Sequence, residues 1–140
     1  MRRPISAAVA VVLALGLGAC GREASATDQV RDTVEAFAKA SKAKDYERIC
    51  EDVMSRALVA EVEAAGLTCE TAWRTGLGQA DAPALTIRTV AVRGDQALVG
   101  VRSTATNQKP SDDVLELVRE KGEWRIAALA RPQPQPPATP

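Results

Sequence analysis

The first half of the chain repeats its apolar residues with the period of an α-helix. Residues spaced by four, three and four share one face of the first predicted helix, which runs from a cap at Ser25 or Thr27 to about Lys44. The members of this face are Val30, Val34, Phe37 and Ser41. Asp45 interrupts the pattern and is placed to cap a second helix that starts at Tyr46.

Two shorter helices are predicted after the second one. The segment from Arg56 to Ala65 is helical in pattern and ends at Gly66, a residue typical of helix C-termini. Thr68 is a suitable cap for a fourth helix, whose inward residues are Ala72, Trp73 and Leu77. The segment GLGQADAP then forms a loop.

From Leu85 onward the period changes from that of a helix to that of a strand. Four strands are predicted, ALTIRTVAV, ALVGVRSTA, VLELVRE and EWRIAALA, with RGDQ as a tight turn and NQKPSDD as a loop. On the first two strands, one face is expected to carry Leu85, Ile87 and Thr89, then Val99, Val101 and Ser103. Several strands have apolar residues on both faces, so the pattern leaves open which face meets the helices. Helices followed by an antiparallel sheet indicate an α+β fold.

The chain begins with two arginines and an uncharged apolar run from Ile5 to Ala19. The run is too short for a bilayer core, which needs about 20 helical residues. It ends in LGAC at Cys20, which resembles the lipobox of bacterial lipoproteins. The resemblance implies a diacylglycerol on Cys20, with residues 1–19 as the signal peptide and 20–26 as the lipidated cysteine and a tether. The alternatives are an ordinary signal peptide or an uncleaved anchor.

Composition narrows the possible functions. The 18 basic and 18 acidic residues balance, and removing Arg2 and Arg3 with the signal peptide leaves a net charge near −2 without a basic face. We therefore expect no nucleic-acid partner. Histidine is absent, which excludes histidine-based triads and histidine metal sites, and we predict neither a metal nor a cofactor.

Cys50 and Cys69 form an even pair once Cys20 is assigned to the lipid. Disulfides persist in the oxidising environment outside the cytoplasm, so we predict a bond between these two cysteines. Two buried free thiols or one reactive thiol are the alternatives. No basic cluster lies beside either cysteine in the sequence to activate it.

Several segments together resemble the NTF2-like superfamily, and more narrowly its small actinobacterial lipoproteins. They are VEAFAKASKAKDYERICEDV, LTCETAW, LTIRTVAVRGDQALVGVRS and VLELVREKGEWRIAAL. The resemblance covers about residues 28–130 and implies a cone, with a curved antiparallel sheet wrapped around the long first helix and an open mouth. It also implies that a homodimer can form through the sheet. We assign 27–130 to this domain and 131–140 to a disordered proline-rich tail.

The resemblance also suggests candidate site residues. Ketosteroid isomerases, polyketide cyclases and dehydratases of the superfamily need a base carboxylate with oxyanion donors, or a His–Asp pair. Glu116 is a functional candidate if its face lines the cone, whereas on the opposite face it pairs with a neighbouring strand. The possible pocket residues are Tyr46, Trp73, Glu116 and Trp124. We interpret Asp112 and Asp113 as part of a solvated loop rather than as metal ligands.

These observations favour a non-catalytic lipoprotein with no catalytic residue. It is expected to be held on the extracytoplasmic face of the cell membrane by acylated Cys20. Its cone would bind a small apolar ligand, or its sheet would bind another envelope protein. The alternative is a small enzyme of the ketosteroid isomerase or polyketide cyclase kind that acts on an apolar substrate.

Overall fold

A computed structural model describes residues 24–130, in which four helical segments precede four strands. The helices are α1 (Ala26–Ala43), α2 (Tyr46–Arg48), which continues into a π-helical turn at Ile49–Val53, α3 (Arg56–Ala64) and α4 (Cys69–Leu77). The strands are β1 (Ala84–Arg93), β2 (Gln96–Ala105), β3 (Gln108–Glu120) and β4 (Glu123–Ala130). The predicted signal peptide, Cys20, the first residues of the tether and the tail at 131–140 lie outside the described residues.

Side-chain caps determine where the first two helices begin. The Ser25 hydroxyl accepts a hydrogen bond from the Asp28 backbone N–H at 3.1 Å, and the Asp28 carboxylate accepts one from the Ser25 N–H at 3.3 Å. This capping box shows that Ser25, and not Thr27, caps α1. The Asp45 carboxylate accepts from the Arg48 N–H at 3.1 Å, so the predicted cap of α2 is confirmed.

The four strands form one antiparallel sheet in the order β1-β2-β3-β4. The prediction of a loop at NQKPSDD is wrong for most of that segment. Strand β3 already begins at Gln108, and only two residues join it to β2. The first residues of β3, before Val114, pair with β2 alone, and pairing with β4 starts at Val114. Pro110 is tolerated there because an edge segment does not need every backbone N–H.

A β-bulge in β1 changes the residues that face the helices. The pairing with β2 shifts between Ile87 and Thr89, so that Arg88 is an extra residue. Leu85 and Ile87 pack on the core before the bulge, and Val90 and Val92 pack on it after the bulge. The prediction that Thr89 shares a face with Leu85 and Ile87 is therefore wrong, since Thr89 is exposed whereas Leu85 and Ile87 pack on the core.

The face of the sheet that meets the helices is the one that carries Leu115 and Leu117. Both side chains are fully buried, whereas Glu116 between them is exposed on the opposite face. The strands contribute Ala97, Val99, Val101, Leu115, Leu117, Trp124 and Ile126 to the core, and the helical half contributes Val30, Val34, Phe37, Ala40, Tyr46, Ile49, Val53 and Met54. This arrangement is the predicted α+β fold.

The predicted disulfide is confirmed. Cys50 in the π-helical turn is bonded to Cys69 at the start of α4, with 6.0 Å between the two Cα atoms. The bond fixes α4 to the end of the second helix. The core, the sheet and this disulfide all lie within 24–130, so a chain from residue 21 onward contains every interaction described here.

Candidate functional site

A small cavity of about 150 Å³ lies where α1 and α4 meet strands β1 to β3. Its wall is mostly apolar and includes Phe37, Trp73, Leu77, Leu85, Val101 and Leu115. We call this space, defined by these residues and by Ser41, Ser103, Ser111 and Asp113, the mouth cavity.

Two aromatic rings form one side of the mouth cavity. The centroids of Phe37 and Trp73 are 5.3 Å apart and the rings meet edge to face at 65°, an arrangement that aromatic pairs favour. Phe37 lies on α1 and Trp73 on α4, so the wall depends on the position of α4. The disulfide at Cys69 holds the start of α4, and the Lys44 Nζ donates to the Gly78 carbonyl at 3.1 Å just past its end.

The rim of the mouth cavity is held by hydrogen bonds between loops. The Asn107 amide donates to the Gln79 carbonyl at 2.7 Å and accepts from the Asp81 N–H at 2.9 Å. These bonds fix the segment between α4 and β1 against the β2–β3 turn. Exposed Gln108 and Lys109 also line the cavity, so it opens to solvent at this rim.

Polar residues of β3 and α1 line the mouth cavity. From β3, the Ser111 hydroxyl donates to Asp113 Oδ2 at 2.7 Å, and Asp113 itself is half-buried. On α1, Ser41 also lines the cavity, but it is only 7% exposed, and its hydroxyl oxygen is itself buried without a hydrogen-bond partner among residues 24–130. The cavity therefore combines an apolar wall with a few convergent polar groups, as small-molecule sites do.

The structure does not bring the four predicted pocket residues together. Trp73 lines the mouth cavity, as just described. Tyr46 is buried below the Arg74 guanidinium, whose carbon is 5.5 Å from the ring centroid. Trp124 is buried elsewhere in the core, and Glu116 lies exposed on the outer face of the sheet.

Sequence reasoning missed two polar members of the mouth cavity. Ser41 continues the apolar face of α1, and a polar residue at a core-facing position was the available signal. From the sequence, Asp113 and Asp112 are expected in the polar loop NQKPSDD. The structure instead places Asp113 within β3, two residues before buried Leu115 on the same face.

No group of three or more Cys, Asp or Glu side chains is placed to hold a metal ion in residues 24–130. No helix in the same range is long and apolar enough to cross a bilayer.

Comparison with known families identifies the class of protein. Residues 25–130 match the model of the family described as "Putative lumazine-binding". The match covers the whole helix-and-sheet unit, and the chain belongs to this family within the NTF2-like superfamily. A search of curated proteins found no match.

Solved structures of other NTF2-like proteins have the same fold. An NTF2-like protein of unknown function from Silicibacter pomeroyi aligns with a TM-score of 0.54 at 20% identity, covering 72% of this chain and 89% of its own. One from Shewanella baltica, also of unknown function, aligns with a TM-score of 0.53 at 10% identity, covering 72% and 87%. A "putative dehydratase" from Streptomyces avermitilis gives 0.53 at 17% identity, covering 74% and 91%. At these identities the likeness shows the fold alone.

Proposed function

We propose that this protein is a membrane-anchored extracytoplasmic lipoprotein whose mouth cavity binds a small apolar ligand without catalysing its conversion. The observation that carries the proposal is the cavity itself, with its Phe37–Trp73 wall and its rim held by Asn107. A rim and wall that are fixed before binding lower the ordering cost that a ligand must overcome.

The size of the mouth cavity limits the ligand. An apolar cavity of about 150 Å³ in another protein accommodates a benzene molecule, and this cavity has the same volume. We therefore expect a single ring or a flat bicycle, or one end of a longer apolar molecule that extends past Lys109 at the rim. The family description makes lumazine, a flat heteroaromatic molecule, the first compound to test.

A bound ligand is best sought in material that has never been denatured. Residues 21–140, exported and purified gently under oxidising conditions, are measured by native mass spectrometry. We expect a small molecule at a stoichiometric mass, whose identification names the ligand class. A bare chain that also fails to bind lumazine or small aromatic compounds contradicts the ligand-binding proposal.

Anchoring by Cys20 is supported by the lipobox resemblance of LGAC. Two lipid chains suffice for stable anchoring, because each buried CH₂ contributes about 0.8 kcal/mol. Cys20→Ala should move the protein from the membrane fraction to the soluble fraction of cells, while the Cys50–Cys69 bond still forms. Unchanged membrane retention of the variant is the result that excludes a lipid anchor at Cys20.

The outer face of the sheet supports a second interaction, a homodimer. Leu98 is 52% exposed and pairs with Ala91 on β1 and with Glu116 on β3, and Arg93 and Val118 line the same surface. Across a two-fold axis, Arg93 of one copy can pair with Glu116 of the other, and the reverse pair forms as well, around an apolar centre. We expect Leu98→Asp to convert a dimer into a monomer in analytical ultracentrifugation, and a wild-type monomer at high concentration contradicts this interface.

The alternative of a small enzyme depends on Asp113. This is the carboxylate that lines the mouth cavity, and Ser111 is its hydrogen-bond donor. A proton-abstracting enzyme also needs donors for the oxyanion, and the half-buried Ser103 is a further hydroxyl residue that lines the cavity. If a ligand recovered from the protein is converted on incubation, and Asp113→Asn abolishes conversion but not binding, the enzyme interpretation replaces the binding one.

A further inference from the structure

Asp112 and Asp113 are adjacent on β3 but lie in different surroundings. Asp112 is paired in register with Arg102 on β2, and its carboxylate accepts a hydrogen bond from Arg102 Nη1 at 2.8 Å. Asp113 is paired with buried Val101 and lies on the side of the sheet that carries Leu115. The ion pair balances the charge of Asp112, whereas Asp113 belongs to no ion pair in residues 24–130.

The carboxylate of Asp113 is accessible, unlike the Ser41 hydroxyl. Its Oδ2 accepts the hydrogen bond from Ser111, and no other donor among residues 24–130 bonds to this side chain. Asp113 is half-buried, and its Oδ1 is not one of the enclosed polar atoms that lack a partner. A carboxylate has about four positions that accept hydrogen bonds. Because Asp113 lines the mouth cavity, the remaining positions are available to a ligand in that space.

The lining of the mouth cavity contains little that can balance the charge of Asp113. Lys109 is the other charged residue of the lining, and it is exposed at the rim. It lies four residues earlier on the same strand, which is about 13 Å of extended chain. Exposed charges that far apart are largely screened at physiological ionic strength. A charge in apolar surroundings is unfavourable unless it is paired, so the carboxylate beside Leu115 favours a cationic group in the cavity.

We propose that the ligand of the mouth cavity is an apolar ring compound that carries one protonated amine, which pairs with Asp113. This inference rests on the proposed function, namely that the mouth cavity is a ligand site. The ring lies against Phe37 and Trp73, and the ammonium group donates a hydrogen bond to Asp113 Oδ1. An anionic group is disfavoured there, because its charge would lie beside the carboxylate and be repelled by it.

Benzylamine and benzyl alcohol separate the effect of the charge from that of the apolar contact. Both have a one-carbon arm on a benzene ring, and the arm ends in an ammonium group in the first and in a hydroxyl in the second. Residues 21–140 are titrated with each compound at neutral pH and low salt and followed by NMR. We expect benzylamine to bind the wild type about tenfold more tightly, which is the contribution of a hydrogen bond to a charged group.

Asp113→Asn keeps the size of the side chain and removes its charge. It should reduce the preference for benzylamine to within about twofold, because the charged pair is lost and the apolar contact is kept. Asp112→Asn is the matched control, since it removes the same charge from the adjacent residue on the outer face of the sheet. The control should keep the preference of the wild type. Thermal unfolding verifies that each variant is folded, and the wild-type comparison needs no variant.

The outcomes distinguish this inference from the proposed function. If the wild type binds benzyl alcohol as tightly as benzylamine, or more tightly, the cationic class of ligand is wrong and the cavity remains a ligand site. If Asp113→Asn keeps the preference, or if Asp112→Asn loses it to the same extent, Asp113 is not the partner of the amine. If neither compound binds the wild type, the ligand-binding proposal fails as well.

Discussion

The two tryptophans of this protein lie in regions built in opposite ways. Trp124 is 4% exposed, and the Arg119 guanidinium carbon covers it at 4.9 Å from the ring centroid. Trp73 is half-buried and meets Phe37 only edge to face, which leaves a cavity beside the ring. We call the first region the closed end and the second the open end.

The difference shows that the same kind of residue serves two purposes in one small domain. At the closed end, the Trp124 ring is buried in the core beneath Arg119, so the ring contributes to stability, and the hollow beside it is an open surface groove lined by residues such as Arg48 and Arg125. At the open end, the disulfide joins α4 to the π-helical turn and the Lys44–Gly78 bond joins its other end to the end of α1, and the Trp73 ring borders the mouth cavity. Ordinary interiors leave few such voids, and a void with a polar group in its wall is typical of a binding site.

Truncating the two tryptophans tests this difference most strongly. Trp124→Ala should lower the free energy of unfolding by about 3–5 kcal/mol, the range for large buried aromatic residues. Trp73→Ala should cost less than half as much, because its ring is half-buried and already faces a cavity. Denaturant unfolding of both variants measures the two losses, and equal losses would contradict the distinction between the ends.

Removal of the disulfide should loosen the open end. The bond closes a loop of 19 residues in sequence separation, for which the chain-entropy model gives about 3 kcal/mol. Cys50→Ala with Cys69→Ala should lower the melting temperature and weaken ligand binding. Trp124 should stay protected from fluorescence quenchers in the folded variant. Unchanged stability under oxidising conditions would mean that the bond does not form in solution.

The β1 bulge keeps apolar residues of the strand on the core, because Leu85 before it and Val90 after it both face the core. A Cβ at Gly100 would lie 2.5 Å from Thr89 Oγ1, so Gly100→Ala should destabilise the fold by about 1–3 kcal/mol. Thr89→Ala removes the clashing oxygen, and the double variant should recover most of the loss. Additive losses in this double-mutant cycle would show that the contact is unimportant.

The smallest effect on stability is expected for Ser41→Ala. The hydroxyl makes no hydrogen bond that the substitution can remove, so the unfolding free energy should stay within about 0.5 kcal/mol of the wild type or rise. Ser55→Ala should instead lose about 1 kcal/mol, because it removes the cap of α3. Urea unfolding compares the two, and a loss at Ser41 as large as that at Ser55 would reveal an internal partner.

Local rules predicted much of the fold from the sequence. The caps at Ser25, Asp45 and Thr68 and the change of period at Leu85 depend on neighbouring residues, and the structure has these elements. The β1 bulge and the extension of β3 through Pro110 depend on pairing with other strands. No pattern within a single strand reveals them.

The candidate site was harder to predict for the same reason. A cavity forms where the side chains of neighbouring elements leave the space between them unfilled. The sequence does not give the distance between α4 and β3, so it cannot predict that space. Trp73 was found because an aromatic residue was expected in a pocket wall. Ser41 needed the finding that its hydroxyl has no partner, and Asp113 needed the true start of β3.

We expect the open end to bind a ligand and the closed end to bind none. The two tryptophans give two indole N–H signals in a ¹⁵N-correlated NMR spectrum of residues 21–140, and Trp73→Phe assigns them. On titration with toluene, we predict a saturable shift of the Trp73 signal while the Trp124 signal stays in place. If neither signal moves, or if both move together, the mouth cavity is not a specific ligand site and the proposed function is wrong.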